Sequence, residues 1–208
     1  MFYIFDFDGT LVDSMPYWGN THIEALLKHG IECPENFVET ITPLGNQKAV
    51  EYAFSLGVKA NFDEYLNFIN NKLLEKYSTV VPLKEFVKET LTKLKAQGHS
   101  LNVLTASPHL YVDNCLKRLD VFDCFDNIWT IEDFAHTKAE TIIYNKVAEK
   151  LNTTVHDCTF VDDNFTAILT AQKAGMKTIA IFDKSSKNSE LELQKTADKY
   201  IYNFNEML

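Results

Sequence analysis

Five short apolar runs, at residues 2–7, 101–104, 128–131, 159–161 and 178–182, lack the polar alternation of a strand with one wet face. Runs of this length that are apolar on both sides fit strands of a parallel sheet, because crossover helices cover both faces of such a sheet. Between the later runs the apolar residues recur at helical spacing. The alternation therefore predicts an α/β fold, a Rossmann-like parallel sheet flanked by helices. Ser107-Pro108 reads as a helix start, with serine capping and proline in the first turn, and Gly98 and Gly175 read as helix terminators.

From Met15 to Val81 the alternation stops, and the apolar positions over 22–27, 49–56 and 65–77 are spaced as in helices. The expected organisation is a core of residues 1–14 and 82–208, with an all-helical insertion at 15–81 and Pro82 marking the return. With 208 residues, 46% of them hydrophobic, the chain is long enough for one substantial core and a small appendage. A formal charge of −9 disfavours nucleic acid and anionic membranes as partners, since both attract clustered positive charge. A small molecule is the expected partner, and the oligomeric state stays open between a monomer and a weak dimer. Cys33, Cys115, Cys124 and Cys158 lack the close spacing of zinc or redox pairs and read as reduced, mostly buried thiols. The N-terminal residues carry no basic leader or small-residue cleavage site, and no run of about 18 apolar residues occurs, so the expected location is the cytoplasm.

The first apolar run ends in Asp6-Phe7-Asp8-Gly9-Thr10. Side chains alternate along a strand, so the two carboxylates share one side, and the glycine lets the backbone turn. Such a pair repels itself unless a cation joins it. An Asp-Gly hairpin turn is the plain alternative, but the segment that follows is helical rather than a second alternating strand. The second run ends at Thr105, which offers a hydroxyl ahead of a helix start suited to an anion. The fourth ends in Asp162-Asp163-Asn164, where an acidic pair suits a cation and Asp163 or Asn164 alone suits a helix cap. Lys138 falls at the start of a helical segment, where a lysine is mildly disfavoured by the helix dipole.

The opening DFDGTLVDS resembles the phosphatases of the haloacid dehalogenase superfamily, and the pattern of the whole chain is similar to their β-phosphoglucomutase-like members with a small helical cap. The resemblance implies a magnesium-dependent phosphohydrolase acting on a small phosphorylated metabolite through an aspartyl-phosphate. It implies Asp6 as nucleophile, Asp8 as acid and then base, and Thr105 and Lys138 as partners of the transferring group. It also implies Mg²⁺ held by Asp6, Asp163, the carbonyl of Asp8 and Asp162, the last directly or through water. Gly9, Thr10, Ala106 and Ser107 are expected to bind substrate, and from the cap Tyr17, Trp18 and Lys48, the last placed in a turn. By the same resemblance the cap closes over the site and sets the substrate. Two departures stand out: relatives usually follow the lysine with proline where this chain has Ala139, and the mutases carry a cap histidine where this chain has Trp18. A phosphosugar mutase and a non-catalytic phosphometabolite-binding protein are the alternatives. Asp8 distinguishes the latter, because a binding module has no use for a proton donor there.

Overall fold

The computed structural model describes residues 1–207, apart from the side chain of Pro43. It divides into two compact units, Met1–Asp13 with Pro82–Leu208 and Ser14–Val81.

In the larger unit, β1 (Phe2–Phe5) is followed by α5 (Val87–Ala96), β2 (Ser100–Thr105), α6 (His109–Arg118), β3 (Asn127–Thr130), α7 (Thr141–Lys150), β4 (Cys158–Asp162), α8 (Phe165–Ala174), β5 (Lys177–Ile181), α9 (Glu190–Thr196) and β6 (Lys199–Ile201). Among the described residues these strands form one parallel sheet in the order β3-β2-β1-β4-β5-β6. Successive connections run outward from β1 to β3 and then return to β4, so the switch in direction falls between β1 and β4. Open α/β sheets bind their ligands at the carboxyl ends of the strands beside such a switch.

The pleat divides the core between two faces. Ile4 joins Leu104, Phe160 and Ala180 against Tyr144, Val147 and Ile168 of α7 and α8. Phe5 turns the other way and meets Phe125 and Phe204. Gly175 ends α8 in the left-handed conformation at φ 100°, and Gly98 sits at φ 79° one residue beyond the cap of α5, where a side chain would be strained.

Several local expectations need correction. β1 stops at Phe5, although the Asp6 N–H continues the ladder to the Val161 carbonyl at 2.8 Å. β3 stops at Thr130 because that side chain caps a single 3₁₀ turn over Ile131–Asp133. Ser107 does not cap α6; the capping position is Pro108, and no side chain caps it. Lys138 is not in the first turn of a helix but in a turn ahead of α7, so the dipole argument does not apply to it. β6 was not visible as an apolar run.

The smaller unit contains α1 (Met15–Lys28), α2 (Phe37–Ile41), α3 (Gly45–Ser55) and α4 (Phe62–Thr79), with a 3₁₀ turn over Thr42–Leu44. Lys48 lies on the first turn of α3 rather than in a loop. Buried Leu26, Ile41, Val50, Ile69 and Leu73 supply its apolar interior. Asn61 caps α4 by accepting from the Glu64 N–H at 3.0 Å. Among the described residues no helix is long and apolar enough to cross a membrane. The four cysteines are free, Cys115 and Cys158 buried and Cys33 and Cys124 half-buried.

Candidate active site

The carboxyl ends of four parallel strands bring the core candidates together. Asp6 follows β1, Thr105 ends β2, Lys138 lies between β3 and α7, and Asp162 ends β4 with Asp163 after it. Carboxylate oxygens of Asp6, Asp162 and Asp163 lie within 4.8 Å of one another, and all three residues are buried. Lys138 Nζ lies 2.7 Å from Asp6 Oδ1 and 2.8 Å from Asp162 Oδ2.

Each side chain has a local reason for its pose. Asp162 Oδ1 accepts the Asn164 N–H at 2.7 Å, so both its oxygens are engaged, one by the lysine and one by the backbone. Asn164 in turn caps α8 by accepting from the Ala167 N–H at 3.1 Å. The cap reading of this segment therefore holds for Asn164, and Asp163 is left to the cluster. Thr10 donates to Asp163 Oδ1 at 3.2 Å and Ser186 donates to Asp163 Oδ2 at 2.6 Å. Gly9, at φ 72°, packs so closely that a β-carbon there would lie 2.7 Å from Asp163 Oδ1. Thr105 Oγ accepts the Ser107 N–H at 3.0 Å, which leaves the hydroxyl proton to point at another oxygen. Ser107 Oγ donates to Asp8 Oδ2 at 2.5 Å. Ala106, between them, is exposed.

Lys138 is held from behind by a residue the sequence reading passed over. The hydroxyl of fully buried Tyr144 lies 2.9 Å from the Lys138 carbonyl and 3.0 Å from the Ala167 carbonyl, fastening the lysine turn to α8. The Tyr144 ring meets Phe160 edge-on, and the Lys138 ammonium lies 6.0 Å from the centre of the Phe160 ring. Lys84 was missed as well. Its ammonium donates to the Gly9 carbonyl at 2.7 Å, the Phe182 carbonyl at 2.6 Å and Asp183 Oδ2 at 3.0 Å. Nothing in the sequence around Lys84 or Tyr144 marks them, since their partners are remote in the chain.

Tyr17, Trp18 and Lys48 belong to the smaller unit. Trp18 Nε1 donates to Asn46 Oδ1 at 2.6 Å, and His22 Nε2 lies 3.4 Å from the same oxygen. The Tyr17 carbonyl accepts from Thr21 at 2.8 Å, and Lys48 is exposed.

Burial pushes the Asp6 carboxyl well above the usual carboxylate range; Lys138 opposes this, and the Asp162 and Asp163 charges add to it. Burial, with Asp162 and Asp183 nearby, pushes Asp163 up to about 7, against the Ser186 hydrogen bond and Lys84. Burial works against the charged form of Lys138, but Asp162 and Asp6 outweigh it and hold the ammonium well above the usual lysine range. Among the described residues, the four buried carboxylates, counting Asp183, outnumber the half-buried lysines Lys84 and Lys138 by two. One divalent cation would cancel that excess, and hard carboxylate oxygens are the donors magnesium takes. The residues present fit such an ion.

A Rossmann-like sheet with buried acids and a lysine at its switch point is the frame of an enzyme. Residues 3–181 match the haloacid dehalogenase-like hydrolases, and the chain belongs to that family. It is 29% identical over 182 residues to the pyrophosphatase PpaX of Bacillus velezensis, covering 86% of this chain and 81% of the relative. It is 24% identical over 181 residues to hexitol phosphatase B of Escherichia coli K12, covering 86% and 82%. Its fold is similar to that of a Thermotoga maritima structure assigned as a β-phosphoglucomutase, with a TM-score of 0.80 and 20% identity over 100% of this chain and 96% of the other.

Proposed function

We propose that the chain is a magnesium-dependent phosphohydrolase that transfers the phosphoryl group of a small phosphorylated metabolite to Asp6 and then to water. The observation that carries this reading is the cluster of three buried carboxylates at the sheet's switch point, two of them, Asp6 and Asp162, paired with Lys138. The relatives named for pyrophosphate and hexitol phosphate support a small phosphorylated substrate.

Asp6, Asp163 and the Asp8 carbonyl would hold the ion. Asp162, with one oxygen on Lys138 and one on the Asn164 N–H, acts from behind them. Bound magnesium supplies positive charge that offsets repulsion between the carboxylates and an incoming phosphate. An Asp6 oxygen attacks phosphorus as the bond to the leaving oxygen breaks, giving an aspartyl-phosphate. Lys138 and the free hydroxyl proton of Thr105 stabilise charge on the equatorial oxygens. Asp8, oriented by Ser107, gives its proton to the leaving alcohol and then takes one from the water that hydrolyses the intermediate.

Residues 14–81 act as the cap that sets substrate choice, with Trp18, Tyr17 and Lys48 as its contacts. Trp18 stands where mutases carry histidine, and an indole cannot serve as a proton-transfer base, which favours hydrolysis over mutation. The enzyme works in the cytoplasm with its cysteines reduced.

The test is hydrolysis of p-nitrophenyl phosphate, sugar phosphates and pyrophosphate by chelator-treated protein, before and after adding Mg²⁺, with phosphate trapping on Asp6 followed by mass. Activity that depends on the ion and a phosphorylated Asp6 are expected. Full turnover after exhaustive chelation would overturn the metal assignment.

A further inference from the structure

Lys84 is a half-buried cation that the proposed reaction does not use, yet it meets three acceptors with three donors. One is the Gly9 carbonyl, in the loop after β1; the others are the Phe182 carbonyl and Asp183, in the segment after β5. A lysine ammonium has three N–H groups and no acceptor, so this arrangement saturates it.

The two places it joins are the two arms that grip Asp163. On the first arm, Gly9 packs against the Asp163 carboxylate and Thr10 donates to Oδ1. On the second, Asp183 Oδ1 accepts from the Ser185 N–H at 2.9 Å and the Ser185 hydroxyl at 2.6 Å, starting the 3₁₀ turn over Lys184–Ser189. That turn carries Ser186, whose hydroxyl donates to Asp163 Oδ2. One ammonium thus fastens both arms, and the arms meet on the two oxygens of a single carboxylate. Each of those oxygens keeps a second lone pair for a cation.

We infer that Lys84, Asp183 and Ser186 form a brace that orients Asp163 for magnesium, Lys84 and Ser186 being positioning residues. The inference rests on the reading of Asp163 as a cation ligand. Groups that orient a metal ligand from behind typically govern 10–100-fold in metal affinity.

The experiment is calorimetric titration of Mg²⁺ into chelator-treated wild type, Ser186→Ala, Ser186→Thr and Lys84→Met, with thermal unfolding of each metal-free protein. Ser186→Ala should bind Mg²⁺ roughly 10-fold more weakly at nearly unchanged metal-free Tm, Ser186→Thr should restore affinity, and Lys84→Met should weaken it at least as much as Ser186→Ala. Lys84→Met also leaves Asp183 buried without its cation and lowers Tm in any case, so the Ser186 pair decides the question. Wild-type affinity in Ser186→Ala, with wild type itself binding Mg²⁺, overturns the brace and leaves the proposed function standing. No Mg²⁺ binding by the wild type overturns the cation reading and the brace with it.

Discussion

The two units of this chain bury polar groups by opposite means. In the sheet unit, buried acids and lysines lie within hydrogen-bond distance of one another, and the charges left over are negative. In the helical unit the buried polar groups are uncharged, and two of their atoms, His22 Nδ1 and the Tyr65 hydroxyl, have no hydrogen-bond partner among the described residues. Burial accordingly pushes His22 down to about 4 while it pushes Asp163 up to about 7. Excess buried charge has to be offset by an ion or by protons, which is why the proposed chemistry is assigned to the sheet unit.

The contrast is sharpest for Asp8→Asn. The variant keeps the shape and the backbone carbonyl but has no proton to give, so hydrolysis of alkyl phosphates should fall by roughly 10²–10⁴-fold. p-Nitrophenyl phosphate has a leaving group that needs no proton, so its first step should suffer less and phosphorylated Asp6 should accumulate. Unchanged turnover of alkyl phosphates would remove Asp8 from the mechanism.

Lysines in the two units should differ by nearly as much. Lys138→Met takes positive charge from the transferring group and should cost about 10²–10³-fold in kcat. Lys48→Met, on an exposed turn of α3, should raise KM for some substrates and leave kcat within about 10-fold. Equal loss of kcat in both variants for every substrate would erase the division of labour.

The response to pH should have opposite signs in the two units. Asp163 rises from an ordinary 3.8 to about 7 on folding, so between those values the metal-free native state holds a proton that the unfolded chain has released. Its contribution is full below about 4 and is lost as pH climbs toward 7, and Mg²⁺ should restore it. His22 falls from 6.5 to about 4, so its contribution is present above 6.5 and is lost as pH drops toward 4. Hydrogen exchange followed separately over 14–81 and over the sheet, in chelator, should show these opposite trends, and His22→Gln should flatten the first. Loss of protection in the same direction in both units would break the comparison.

The smallest expected effect lies at Phe86. This residue holds φ 64° at the start of α5 and is 46% exposed, so its side chain gains little for the strain. Phe86→Gly relieves a left-handed cost of about 1–2 kcal/mol and returns part of it through the freer unfolded chain, for a net gain below about 1 kcal/mol. A metal-free Tm that rises by a few degrees with unchanged kcat is the expected result.

What could be read from the sequence follows how local each signal is. Five strands were legible because each is a short apolar run, and the Asp6-to-Thr10 motif because its residues adjoin. The sixth strand, Lys199–Ile201, has an exposed lysine and a half-buried tyrosine in three residues and carries no such run. Ser107 was misread as a cap because its true partner, Asp8, is 99 residues away. Lys84, Tyr144 and Ser186 were invisible for the same reason: an ordinary lysine, tyrosine and serine become specific only when the sheet brings their acceptors to them.

The central place of β1 also bears on the order in which the chain can be completed. Phe2 pairs with Ser100 on one side and Cys158 on the other, so β1 waits for its second neighbour while all the residues between them are synthesised. At ordinary rates of synthesis that delay is about ten seconds or more. Until β2 is made this aromatic, two-faced strand has no partner, and until β4 is made one of its edges stays open, whereas the contacts within 14–81 are already available. Conditions that slow elongation between β1 and β4 should therefore lower the yield of soluble enzyme while leaving the stability of the finished protein unchanged.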